Sequence, residues 1–199
     1  MQVLNSNQII ANIQQGEYTD IIFDFDETIV HLIIDWSQFH SYMKELANTY
    51  WVESERISMN THAFVEFVIQ KFWKEGKNSI DEICEIVESK YLSDIVVNEE
   101  LVHFIQQNSK KYNFHILSNN MYSTITQALK KMNMWEYFIQ VLGRDSISTP
   151  KPHPIWIEHI IKNQWWKKEN FVMIGDNPDS DIAAASRAGI EGLVINMYI

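Results

Sequence analysis

The sequence predicts an α/β fold: a parallel sheet flanked by helices, with a helical cap inserted after the first strand. Three observations predict it. An apolar run at 20–25 ends in the acidic pair Asp24 and Asp26. The next segment, 35–92, carries helical periodicity only. From residue 98 onward, short apolar runs alternate with helical stripes, the pattern of βα units and a parallel sheet.

A helical lead-in from Asn7 to Gln15 is closed by Gly16, and the first strand follows. In the insertion, Trp36, Phe39, Met43, Leu46 and Tyr50 fall at spacings of three and four. So do Phe64, Val65, Val68 and Phe72, and then Ile80, Ile83, Val87 and Tyr91. Each set is one apolar stripe of an amphipathic helix, and the stripes are expected to pack on one another. Cys84 lies beside the third stripe and reads as core. Beyond the insertion, Asn98 caps a helix through Gln107, and 114–117 is a strand. Ser123–Met132 is a helix, 140–142 a short strand and Pro154–Asn163 a helix. A buried strand at 171–174 ends in Gly175. Ser180–Ala188 is a helix closed by Gly189, and 193–195 is the last strand. Residues 1–34 and 93–199 therefore form the core, and 35–92 the cap.

Composition narrows the function. The 46% apolar content of 199 residues, with seven Trp and ten Phe, suffices for a packed core. A balance of 16 basic against 26 acidic residues speaks against a nucleic-acid surface, which needs clustered Lys and Arg. The single cysteine excludes an intramolecular disulfide and a CxxC metal site. The first fifteen residues lack the pattern of a signal peptide, and no run approaches the ~20 apolar residues of a membrane span. The expectation is a cytoplasmic protein with no membrane partner, working as a monomer or homodimer.

Open parallel sheets bind ligands beyond the carboxyl ends of their strands, and four such ends carry polar groups here. Asp24 and Asp26 share a face of an extended chain. Two carboxylates so close repel unless a cation or proton lies between them. The second strand ends in Ser118-Asn119-Asn120, near a helix amino terminus suited to an anion. Lys151 stands between Pro150 and Pro152, and Gly175-Asp176 precedes Asp179 and Asp181. Taken singly, Lys151 reads as a surface lysine, Ser118 as a helix cap and the later aspartates as capping groups. Together they offer carboxylates for a hard cation and a hydroxyl and an ammonium for phosphate oxygens.

In this order, the Asp24-Phe25-Asp26-Glu27-Thr28 motif, Ser118, Lys151 and Gly175-Asp176 with Asp181 resemble the haloacid dehalogenase (HAD) superfamily hydrolases. The resemblance spans essentially the whole chain, and the inserted helices are similar to the cap of the phosphoglycolate phosphatase-like branch. It implies a Rossmann-like core and a Mg²⁺-dependent phosphatase acting on a small phosphorylated metabolite, over which the cap closes. Asp24 is then the nucleophile, Asp26 the general acid and base, and Thr28 a support of the loop. Ser118 and Asn119 are phosphate-binding, and Lys151 is both catalytic and phosphate-binding. Asp24, Asp26 (through its carbonyl), Asp176 and Asp181 are metal-binding, the last directly or through water. An aspartate at position 26 favours a phosphate ester over a carbon–halogen or carbon–phosphorus bond. Position 27 is Glu where many members have Gly, and it reads as a residue facing the entrance or as an exposed loop residue. A phosphomutase, or a phospho-ligand-binding or regulatory protein without turnover, is the alternative. His115 and His153 read as structural or exposed. His31, Asp35 and Trp36 read as hinge, core or entrance residues, and Trp165-Trp166 as a half-buried aromatic pair or a partner surface.

Overall fold

Near-continuous apolar runs make strands that are buried on both faces, and these runs form the centre of the sheet. The computed structural model describes residues 2–49, 61–89, 95–146, 148–164 and 167–199. β1 (Val3–Leu4), β2 (Asp20–Phe23), β5 (Asn113–Leu117), β6 (Phe138–Leu142), β7 (Phe171–Gly175) and β8 (Glu191–Ile195) form one sheet in the order β1-β8-β7-β2-β5-β6. Every pairing in it is parallel. All four residues of β2 are buried. Phe23 stands opposite Ile116 on one side and Ile174 on the other, so the three central strands end level. From β2 the chain runs outward through β5 and β6, then returns to β7 and β8 on the other side. This reversal places a crevice beyond the tip of β2.

The helices follow from their caps and stripes. α1 (Ser6–Gln15) opens with a reciprocal cap between Asn5 and Gln8 and buries Ile9 and Ile13. α4 (Glu99–Asn108) is capped by Asn98 and buries Leu101, Val102, Phe104 and Ile105. α5 is Tyr122–Lys131 and α6 is Ile155–Gln164. α7 (Ala183–Ala188) ends at Gly189, whose φ of 76° is the left-handed conformation that favours glycine. The turn before it, Pro178–Ile182, is a π-helix; the sequence reading had begun an α-helix at Ser180. Ile157, Ile160, Met173, Ala184 and Ala188 share one apolar cluster, which joins α6 and α7 to the sheet.

The chain divides into two compact units, Met1–Leu32 with Asp94–Ile199, and Ile33–Ser93. In the second, α2 (Trp36–Thr49) packs on α3 (Thr61–Ser89). Phe39, Met43 and Leu46 are buried on the first helix, and Val65, Val68, Ile80, Cys84 and Val87 on the other. The two stripes predicted at 64–72 and 80–91 lie on this one helical run. A Cβ at Gly76 would stand 2.7 Å from the Val68 carbonyl oxygen. Eight residues of straight helix span about 12 Å, so the run bends sharply there, and each stripe occupies its own arm.

Two features had no sequence signal. β1 is two residues long, too short to show alternation. β3 (Val30–Leu32) and β4 (Ile95–Val97) pair antiparallel as three-residue strands at the edges of the predicted insertion. No helix among the described residues is long and apolar enough to cross a membrane. Tyr50, Tyr91 and the Trp165-Trp166 pair lie outside the described residues.

Candidate active site

The Asp24 N–H donates to the Ile174 carbonyl at 2.8 Å, so the chain is still tied to the sheet where its first carboxylate emerges. Two residues later it has turned away. Glu27 sits at φ 57°, a left-handed conformation that costs a non-glycine residue roughly 1–2 kcal/mol. That turn sends the Asp26 carboxylate back along the loop, where its Oδ1 accepts from Leu32 N at 2.7 Å and Glu27 N at 3.1 Å. Asp26 stays within electrostatic reach of Asp24, and the described side chains form two groups. Asp24 stands with Asp176 and Asp181, and Asp26 stands with Glu27 and His31; within each group the ligand atoms lie within 4.8 Å of one another.

The first group is organised by Lys151. Its ammonium lies 2.8 Å from Asp24 Oδ1 and 2.5 Å from Asp181 Oδ1, and the residue is 3% exposed. Burial alone lowers a lysine pKa, but the Asp181 and Asp24 carboxylates outweigh it and raise this one. The ammonium is therefore charged at any physiological pH. Asn119 holds the lysine backbone at both ends: Lys151 N donates to its Oδ1 at 3.1 Å, and its Nδ2 donates to the Lys151 carbonyl at 3.3 Å. Arg187 Nη1 donates to the next carbonyl, Pro152, at 2.9 Å. Asp181 Oδ2 also accepts from Asn177 N at 3.1 Å. Gly175 lets this packing happen, because a Cβ there would strike the Asp181 carboxylate.

The acids of the site resist ionisation. Burial pushes the Asp26 carboxyl up to about 8 against the opposing Leu32 N–H, with Asp24, Glu27 and Asp176 adding to the rise. Burial, then Asp24 and Asp181, raise Asp176 to about 7, while Lys151 works the other way. Burial and Asp24 raise Asp181 to about 6, again opposed by Lys151. The Asp24–Asp176–Asp181 group thus holds more negative charge than one ammonium offsets. Asp24 Oδ1 is buried and accepts no aligned hydrogen bond, its contact with Lys151 being an ion pair. An all-oxygen donor set with surplus negative charge fits a hard divalent cation.

The remaining predicted residues lie on the loops that follow β2 and β5. Ser118 is buried at the tip of β5; its hydroxyl donates to Asn120 Oδ1 at 2.8 Å and accepts from Asn120 N at 3.2 Å. At the amino terminus of α5, Tyr122 N donates to the Asp145 carboxylate at 2.7 Å. Asn119, predicted to bind phosphate, spends its side-chain amide on Lys151. Thr28 is fully buried, and its hydroxyl has no hydrogen-bond partner. Its carbonyl accepts from Asn98 Nδ2 at 3.0 Å.

Asn98 is the main residue that sequence reasoning understated. Beyond capping α4 through Leu101 N, it accepts from Ser6 Oγ at 3.0 Å, and its N–H donates to the Ile29 carbonyl at 2.9 Å. It thereby fixes the Asp24–Thr28 loop from behind; only the cap was legible in sequence. Glu27, read from sequence as an entrance or exposed loop residue, has two aromatic-ring neighbours. His31 Nδ1 lies 2.7 Å from its Oε1, in ion-pair contact but out of line for a hydrogen bond, and the Tyr198 phenol lies within electrostatic reach of its carboxylate.

Residues 21–195 match the family described as haloacid dehalogenase-like hydrolase. The chain belongs to that family. Among individual HAD relatives, it is 25% identical to phosphoglycolate phosphatase of Aquifex aeolicus over 178 residues, 85% of this chain and 80% of that one. It is 39% identical to pyrophosphatase PpaX of Listeria welshimeri over 77 residues, 39% of this chain. The chain spans only 35% of that pyrophosphatase's length. The fold is shared with a HAD-superfamily hydrolase of subfamily IA from Geobacter sulfurreducens, at a TM-score of 0.56 and 13% identity, over 93% of this chain and 90% of that one. It is also shared with a haloacid dehalogenase-like hydrolase from Streptococcus pneumoniae, at a TM-score of 0.57 and 18% identity, over 89% and 84%.

Proposed function

We propose that this HAD protein is a Mg²⁺-dependent phosphomonoester hydrolase acting on a small phosphorylated metabolite through an aspartyl-phosphate on Asp24. The observation that carries this reading is the Lys151 ammonium held between Asp24 and Asp181, with Asp176 in the same group at the carboxyl edge of the sheet. Membership of the hydrolase family supports it, as do relatives named as phosphatases.

Lys151 is paired with Asp24, and together with Ser118 it receives phosphoryl oxygens. An Asp24 oxygen attacks phosphorus, and the bond to the leaving oxygen breaks as Asp26 gives that oxygen a proton. Asp26 suits this step because its carboxyl, pushed to about 8, is protonated at neutral pH. Both of its backbone hydrogen bonds fall on Oδ1, which leaves Oδ2 to carry the proton. In the second half-reaction, the Asp26 carboxylate takes a proton from water as that water attacks phosphorus, and Asp24 is released. Asp24, Asp176 and the Asp26 backbone carbonyl would hold Mg²⁺, with Asp181 positioned by Lys151 beside them. When bound, the ion supplies charge neutralisation for the phosphoryl oxygens. Residues 35–92 are assigned the part of a substrate-selecting cap.

Hydrolysis of p-nitrophenyl phosphate, measured with Mg²⁺ and with chelator, tests the proposal. Turnover that requires Mg²⁺ supports it. No turnover of this or any other phosphomonoester by folded, Mg²⁺-supplied protein would contradict it.

A further inference from the structure

Beside the Asp24 group, the structure carries a second polar group that the reaction above does not use. Glu27 follows the proposed general acid directly, and its carboxylate lies within 4.8 Å of that of Asp26. His31 is in ion-pair contact with it, and Tyr198, from the far end of the sequence, lies within electrostatic reach of it and lines the same cavity. The His31 and Tyr198 rings also meet edge-on, with centroids 6.0 Å apart. A cavity of about 350 Å³ opens along this group. Glu27, Asp176, Asn196 and Tyr198 give it polar walls, and Val194 and Met197 an apolar one. That volume matches a ligand at the small end of metabolite sites. Glu27 reaches the cavity only by holding a left-handed backbone, which glycine would adopt without strain.

We propose that Glu27, positioned by His31 and Tyr198, selects the leaving group: it accepts hydrogen bonds from a neutral, hydroxyl-bearing alcohol and repels an anionic one. This inference rests on the phosphomonoester hydrolase reading. Any alcohol protonated by Asp26 has its first carbons within a few ångströms of the Glu27 carboxylate. A carboxylate or second phosphate on that alcohol would meet the Glu27 carboxylate in a half-buried setting, where like charges repel more strongly than in bulk water. A hydroxyl in the same place finds acceptors in Glu27 and Asn196.

The test uses an isosteric pair, 2-hydroxyethyl phosphate and 2-phosphoglycolate, which differ in a terminal hydroxymethyl against a carboxylate. The ratio of their kcat/KM values is measured for the Mg²⁺-supplied full chain and for Glu27→Gln and Glu27→Gly, with p-nitrophenyl phosphate as the general substrate. The expected ratio favours 2-hydroxyethyl phosphate by about tenfold or more in the wild type. It should fall to about threefold or less in both variants. Because each ratio is taken within one protein, a general loss of activity cancels. Independently of any variant, the wild-type preference should shrink as ionic strength rises from ~20 mM to ~500 mM. Equal or better use of 2-phosphoglycolate would overturn the inference. So would a preference that survives in Glu27→Gln or does not respond to salt. If p-nitrophenyl phosphate itself is not turned over, the hydrolase reading fails first and takes this inference with it.

Discussion

Lys151 Nζ and Asp24 Oδ1 stand 2.8 Å apart although they come from the loop beyond β6 and the tip of β2. The pair is nearly sealed from solvent, with side-chain exposures of 1% and 13%. Such a contact ties the proposed nucleophile to the lysine and fixes its direction. Its cost is desolvation of a lysine, offset only because Asp181 approaches from the other side. The geometry of this triad therefore depends on whatever holds the lysine loop.

Asn119 is that holder, through two hydrogen bonds to the Lys151 backbone. Asn119→Ala should lower kcat/KM for p-nitrophenyl phosphate by roughly tenfold to a hundredfold. Urea denaturation should show a loss of no more than about 1–2 kcal/mol. Steady-state kinetics on the variant, with its unfolding curve as control, checks both halves.

Asn98 acts from behind the Asp24–Thr28 loop. Asn98→Ala removes the cap of α4 and leaves the Thr28 carbonyl without its donor. Stability should fall by about 2 kcal/mol, read as a lower urea midpoint. Turnover should fall as well, because the loop bearing the two proposed catalytic aspartates loses its anchor.

The raised carboxyl groups make stability depend on pH in a fixed direction. Asp26 is raised to about 8, Asp176 to about 7 and Asp181 to about 6, all from 3.8. Each favours the protonated folded state. Their contribution is full below the unfolded value and is lost as pH climbs through the folded ones. Metal-free protein should therefore lose melting temperature between about pH 4 and pH 8 on account of these groups. Mg²⁺ should raise the melting temperature more at pH 8 than at pH 5.5, because protons compete for Asp176 and Asp181. Thermal scans with and without the ion measure this directly.

His115 predicts a purely structural effect. Its Nε2 lies 2.9 Å from Asp20 Oδ1 with both side chains fully buried, and the other Asp20 oxygen accepts from Thr19 at 2.8 Å. His115→Leu leaves that aspartate without its ring partner at the sheet centre, costing about 3 kcal/mol or more. Asp20→Asn in the same background should recover part of the loss. Equilibrium unfolding of the single and double variants provides the measurement.

Much of the arrangement was readable from residues alone, for identifiable reasons. Strands such as Phe171–Gly175 are apolar throughout because both faces are covered, and their ends carry the site in any parallel sheet. Asp24, Ser118, Lys151 and Asp176 each follow a strand, so pattern and spacing placed them together. The hydrogen bonds that hold the Asp26 carboxylate were not readable, because they depend on Glu27 adopting a positive φ and on the Leu32 N–H of a three-residue strand. The hydrogen bonds from the Asn119 side chain to the Lys151 backbone were not readable either, because they join positions 32 residues apart. Tyr198 and Glu27 are separated by most of the chain, and only the sheet order brings them together.

The central claim is covalent catalysis by Asp24, and trapping the intermediate tests it most directly. Asp26→Asn keeps an acceptor for the Leu32 N–H but has no acid for the leaving group and no base for the water. With p-nitrophenyl phosphate, whose leaving group departs without protonation, the first step should persist while the second slows. Acid-quenched, Mg²⁺-supplied Asp26→Asn should carry one added phosphoryl group, mapped by peptide mass analysis to Asp24, and Asp24→Asn should carry none. A folded protein that turns over phosphomonoesters but never labels at Asp24, or labels elsewhere, would contradict the account.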